Sequence, residues 1–237
     1  MSLVVTRAVL FDWFNTLADY DPPRHEAHAD ACRALGIEVA KERLSPGILL
    51  ADHYYVDENR RSPVKQRPIE EQMAIFSRME HIALREAGVQ LSDDQALGII
   101  QKMAKVFADT RFSLYEDVLP AFDLLKERGL ILGVISNIDR DLVPVCQELG
   151  LAPYLDLIIT SRDTGYEKPD PRIFQAALQH TGTEGSETIY VGDHHAIDVL
   201  AAEQAGMQGV LLDRFDLFGH ITSCPRITSL VDLVHYV

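Results

Sequence analysis

One short apolar segment, Ala8–Phe11, ends at a carboxylate, Asp12, and no second buried strand follows until Leu130. That gap is the strongest constraint on the fold. From Leu130 onward apolar runs recur at Leu130–Ser136, Leu155–Thr160, Thr188–Gly192 and Gly209–Leu212. Each is short and rich in Val, Ile and Leu, as expected of strands buried on both faces. Helical patterns accompany them at Val118–Arg128, Asp139–Leu149, Pro171–Thr181 and Ala196–Ala205. Such alternation predicts an α/β fold with a parallel sheet covered on both sides. The gap itself reads as helix, with apolar residues at three- and four-residue spacing over Arg24–Leu35, Ser45–Tyr55, Ile69–Ala87 and Ser92–Phe107. Ser45-Pro46 and Ser92-Asp93 are expected helix starts, and Gly36 and Gly88 expected stops.

The expected organisation is therefore a core made of residues 1–17 and 113–237, interrupted by an all-helical cap over residues 18–112. Ligands of open α/β sheets bind at the carboxyl ends of the strands. An insertion after the first strand is expected to lie over that edge, with crossings near Ala18–Pro23 and Thr110–Glu116. A length of 237 residues suits a domain with an insertion.

Composition narrows the partners. Lys and Arg number 22 against 36 Asp and Glu, a net charge of −14, which disfavours nucleic acid. No run approaches the ~18 apolar residues of a membrane span. The segment Ala8-Val9-Leu10-Phe11 is too short for a signal peptide. Cys32, Cys146 and Cys224 are odd in number and widely spaced, so neither disulfides nor a zinc site is expected. The expectation is a cytoplasmic protein, monomer or homodimer, with a small anionic substrate and no membrane or nucleic-acid partner.

Polar residues with chemical uses stand at each strand end. They are Asp12 and Thr16 after the first strand, Ser136-Asn137 after the second, Lys168 after the third, and Asp193 with Asp198 after the fourth. A carboxylate at Asp12 suits nucleophilic displacement through a covalent ester. Lys168 would neutralise Asp12 and the developing charge, while Ser136 and Thr16 would bind substrate oxygens. Asp193 and Asp198 suit a hard cation with oxygen ligands, which is Mg²⁺.

The set Phe11-Asp12-Trp13-Phe14-Asn15-Thr16-Leu17, Val134-Ile135-Ser136-Asn137, Glu167-Lys168-Pro169-Asp170 and Val191-Gly192-Asp193 with Asp198 resembles the four ordered motifs of the haloacid dehalogenase (HAD) superfamily, subfamily IA. The resemblance implies a Rossmann-like core with a C1 helical cap and Asp12 as nucleophile. It further implies that Ser136 and Asn137 position the transferring group. Asp12, the Phe14 carbonyl, Asp193 and Asp198 would hold Mg²⁺.

Two features of the chain pull apart. Phosphatases of this superfamily place an acid–base Asp where Phe14 stands, and such help is worth ~10²–10⁴-fold. The L-2-haloacid dehalogenases place an aromatic residue there and need no metal. They also carry a tyrosine where Phe174 stands, and they do not need the Asp193/Asp198 pattern. Three readings follow: Mg²⁺-dependent hydrolysis of a small phosphoester through an aspartyl-phosphate, metal-free dehalogenation, and a catalytically weak protein that acts by binding. His194 and His195 are candidates for the missing acid. Arg60, Arg61, Lys65 and Arg67 are a candidate anion-attracting patch.

Overall fold

A computed structural model describes residues 5–106 and 111–237. The first four residues, the Phe107 end of the fourth helical pattern and the Thr110 start of the second crossing lie outside the described residues. The chain forms two compact units, Met1–Asp19 with Leu114–Val237, and Tyr20–Ser113.

In chain order, β1 (Ala8–Phe11) leads to β2 (Ala18–Asp21). The helices α1 (Arg24–Arg33), α2 (Leu44–Arg61), α3 (Ile69–Glu86) and α4 (Asp93–Val106) follow. β3 (Arg111–Leu114) pairs with β2 in a two-stranded sheet. Then come α5 (Val118–Glu127), β4 (Ile131–Ser136), α6 (Val143–Glu148), β5 (Leu157–Thr160), α7 (Ser161–Thr164) and α8 (Pro171–Thr181). β6 (Thr188–Gly192) is followed by a π-helical turn at His195–Val199, α9 (Leu200–Gln204), β7 (Gln208–Leu212) and β8 (Arg226–Ile227).

The main sheet has the order β5-β4-β1-β6-β7-β8, and its strand pairs are parallel. This is the α/β, Rossmann-like core. β1 lies at its middle, and all four of its residues are buried. Leu10, Ile135, Leu157 and Tyr190 of the strands pack with Ile173, Phe174 and Ala177 of α8 and with Ala201 and Ala202 of α9.

The helical unit has its own core, in which Cys32, Leu44, Ile48, Leu84, Ile99 and Met103 are all buried. α2 and α3 approach closely at Gly47, where an added Cβ would fall 2.2 Å from the Ala83 carbonyl oxygen. The helix stops at Gly36 and Gly88 take φ of 73° and 84°, a region open to glycine at little cost.

Several elements differ from the sequence expectation. α6 begins at Val143 rather than Asp139: Leu142 is its N-cap, and Asp141 just before it accepts the Val143 N–H at 2.9 Å in a local turn. The single helix expected over Ala196–Ala205 opens with a π-turn, where Asp198 Oδ2 accepts the His194 N–H at 3.0 Å. Such turns recur at functional sites. The unexpected strands β2, β3 and β8 are too short and too exposed to carry an apolar pattern. Among the described residues no helix is long and apolar enough to cross a membrane.

Candidate active site

The sheet register builds the site. Phe11 of β1 pairs with Val134 of β4 on one side and with Val191 of β6 on the other. Asp12 therefore leaves the sheet between the Ser136-Asn137 end and the Gly192-Asp193 end, and its N–H still donates to Val191 O at 2.8 Å. The loop after it turns tightly: Leu17 and Ala18 both donate to Trp13 O at 2.9 Å, and Asn15 takes φ 61°. Asparagine tolerates that left-handed conformation better than most side chains.

Lys168 reaches this point from the loop between α7 and α8. Asn137 holds that loop by a two-way clasp, accepting Lys168 N–H at 2.6 Å and donating to Lys168 O at 2.8 Å. Its side chain thus grips the lysine backbone. The Lys168 Nζ donates to Asp12 Oδ1 at 2.5 Å, Asp198 Oδ1 at 2.7 Å and the Tyr190 hydroxyl at 2.9 Å. Thr16 Oγ1 lies 3.3 Å from Asp12 Oδ2. Asn15 Nδ2 lies 3.5 Å from Asp193 Oδ2. Ser136 is buried at the end of β4.

Asp12, Asp193 and Asp198 each offer an oxygen within 4.8 Å of the others, and all three are buried. Gly192 makes room for this, since a Cβ there would fall 2.4 Å from Asp198 Cγ. Asp12 and Asp198 both pair with the Lys168 ammonium, and Asp193 brings a third carboxylate beside them. Burial pushes the Asp12 carboxyl up to about 7; Lys168 opposes this, and Asp198 and Asp193 add to it. Burial pulls the Lys168 ammonium down, but Asp12 and Asp198 outweigh it and hold the group well above its usual range. This set of hard carboxylate oxygens fits a divalent cation.

The remaining sequence candidates are placed as follows. Phe14 is partly buried and forms an isolated bridge with Ala18. His194 uses Nδ1 to accept the Ala196 N–H at 3.3 Å, and His195 Nε2 lies 3.3 Å from Ser223 Oγ. Arg60 pairs with Asp57 at 3.4 Å, and both Arg61 and Arg67 pair with Glu58. Their charge is taken up within the cap. Tyr190, read in the sequence as one more strand residue, is the component that pattern reading missed. A tyrosine inside an otherwise apolar buried strand was the available signal, because a buried phenol needs a partner.

A buried carboxylate at the carboxyl edge of a parallel sheet, backed by a lysine and two further aspartates, is the arrangement of a class of hydrolases. The model of haloacid dehalogenase-like hydrolases matches residues 6–206, and the chain belongs to that family. It is 33% identical over 214 residues to human (Homo sapiens) haloacid dehalogenase-like hydrolase domain-containing protein 3, covering 87% of this chain and 81% of that protein. The match to its Danio rerio counterpart is 42% over 88 residues, 37% of this chain, and spans only 36% of that protein's length. The chain is also 29% identical over 212 residues to ribulose-1,5-bisphosphate 5-phosphatase of Halopiger xanaduensis, covering 87% and 84% of the two. Among solved structures it resembles a HAD phosphatase from Thermococcus onnurineus, with a TM-score of 0.60, 23% identity, and 98% and 97% of the chains covered.

Proposed function

We propose that this hydrolase cleaves small phosphate esters by way of an aspartyl-phosphate on Asp12, with Mg²⁺ as cofactor. The observation that carries this reading is the buried Asp12–Asp193–Asp198 cluster, whose carboxylate oxygens lie within 4.8 Å of one another. Halide displacement has no use for such a cluster, and a protein that only bound an anion would gain nothing from burying three acids. The phosphatase named among its relatives adds support.

Asp12 attacks phosphorus, the bond to the leaving oxygen breaks, and the leaving group departs. Water then attacks the aspartyl-phosphate, freeing phosphate and restoring the Asp12 carboxylate. Lys168 orients Asp12 and balances charge as it builds on the transferring group. Asn137 acts by positioning Lys168, and Thr16 by steadying Asp12. Ser136 stands where it would meet phosphoryl oxygens. Asp12, Asp193, Asp198 and the Phe14 carbonyl would hold Mg²⁺, which supplies charge neutralisation for the nucleophile and the phosphoryl group.

With Phe14 in place of an acid, leaving groups that depart without a proton are favoured. The test is an assay of p-nitrophenyl phosphate, a simple alkyl phosphate and L-2-chloropropionate, with and without EDTA. The expected result is EDTA-sensitive phosphate release, at least about tenfold faster from the aryl ester than from the alkyl ester. Metal-independent chloride release would overturn the proposal.

A further inference from the structure

Tyr190 lies in the interior of β6, fully buried, with its ring edge-on to Phe174 at 5.1 Å. An ordinary core tyrosine needs one acceptor for its proton, and this one has it: the hydroxyl lies 3.2 Å from Ile135 O of β4. The same oxygen nevertheless receives Lys168 Nζ at 2.9 Å and stands 3.4 Å from Asp198 Oδ1. An ammonium has three protons to place. Two go to Asp12 and Asp198, and the third goes to Tyr190.

We propose that Tyr190 is a positioning residue, whose hydroxyl completes the shell of Lys168 and aims the ammonium at Asp12. With its own proton given to the Ile135 carbonyl, the hydroxyl turns a lone pair toward Nζ. Lys168 then has one orientation in which all three protons are bonded. Without the hydroxyl, one N–H is left unsatisfied where water is excluded, and the ammonium pivots toward another acceptor. The residue touches neither substrate nor reacting atoms, so it acts through Lys168 alone. This inference rests on the hydrolase reading above for its kinetic consequence, but its structural part stands without it.

The test uses the full chain with ¹⁵N-labelled lysine and compares wild type with Tyr190→Phe, taking Lys168→Arg to assign the signal. A buried ammonium bonded at all three protons exchanges slowly with water. The wild type is expected to show a side-chain ammonium signal that Lys168→Arg removes. In Tyr190→Phe that signal is expected to broaden, with exchange at least about tenfold faster. Per folded molecule, kcat for p-nitrophenyl phosphate should fall about ten- to a hundredfold, while KM stays within about twofold. A purely structural tyrosine would lower the folded fraction and leave both readouts unchanged per folded molecule. If Tyr190→Phe does not fold, 3-fluorotyrosine at position 190 keeps the shape and weakens the oxygen as an acceptor, and the Lys168 signal should still shift. An unchanged Lys168 signal in the folded variant would overturn the proposal, as would an unchanged kcat. If the wild type hydrolyses no phosphate ester, the functional proposal fails while the ammonium signal still decides the place of Tyr190.

Discussion

Both units bury charge, and they do it in different ways. In the helical unit buried acidic groups face basic side chains of neighbouring helices. Arg24 of α1 pairs with Asp52 of α2, with only 7% and 19% of their side chains exposed. His28 Nδ1 donates to Arg24 O at 2.9 Å, and its Nε2 faces Glu80 of α3 at 3.5 Å. In the sheet unit Lys168 meets two aspartates, and a third stands beside them. Matched pairs lock helices together and ask for nothing further. A cluster of buried acids is held by the fold at a cost in stability, and its converging oxygens suit a ligand. The same burial therefore means structure in one unit and chemistry in the other.

The largest effect expected is that of Asp12→Asn. Turnover should drop at least about 10³-fold, because the proposed nucleophile is gone. The melting temperature should not fall, since one of three mutually repelling carboxylates has been removed. Steady-state kinetics beside a thermal melt reads both outcomes. Retained turnover would mean that the carboxylate cluster is not catalytic. A fall in melting temperature would mean that the cluster is structural after all.

Next comes a matched pair of glycine substitutions. Gly192→Ala would drive a Cβ to 2.4 Å from Asp198 Cγ, and Gly47→Ala would drive one to 2.2 Å from Ala83 O. Both cost stability, on the order of 1–3 kcal/mol by overpacking. Only Gly192→Ala displaces a member of the cluster, so only it should lose about 100-fold in kcat per folded molecule. Equal losses in the two variants would erase the distinction between the units.

How much of this was open to pattern reading follows the same division. β1, β6 and α8 have the bounds that their apolar runs suggest, because a strand buried on both faces or an amphipathic helix writes its period into the residues. Asp12, Lys168, Asp193 and Asp198 were visible as polar residues at strand ends, and topology brings strand ends together. The Asn137 clasp joins loops 31 residues apart by backbone atoms, which leave no trace in side-chain identity. Tyr190 was hidden for a related reason. Its strand neighbours are apolar, and only the fold brings Lys168 to its hydroxyl. The cap pairs, Arg24 with Asp52 and His28 with Glu80, were invisible because charges on helical patterns read as solvated faces until the helices are packed.

Removing the cation should, beside the loss of phosphate release expected above, have a smaller effect on stability. If Asp12, Asp193 and Asp198 hold Mg²⁺, saturation at a hundredfold excess over Kd adds about 2.7 kcal/mol. The rise in melting temperature should vanish in Asp193→Asn. Hydrogen exchange should slow over the Gly192–Val199 turn and stay unchanged in α1–α4, where the charges are already matched. Protection by Mg²⁺ spread through α1–α4 would show that the ion acts elsewhere.

Arg24→Met is the complementary test within the cap. It leaves Asp52 without its partner, and breaking a buried pair in this way costs about 3 kcal/mol. The loss should read as a lower denaturation midpoint with an unchanged denaturant slope. Removing both members in Arg24→Met with Asp52→Leu should recover most of it, because two apolar groups of similar volume replace the buried pair without leaving a charge behind. That recovery marks a structural pair. The site cluster has no such exit: replacing Lys168 and Asp12 together by apolar residues leaves the buried Asp198 without the ammonium that meets it at 2.7 Å, so stability should not recover. Recovery of stability in the cap alone is the sharpest form of the difference between the two units.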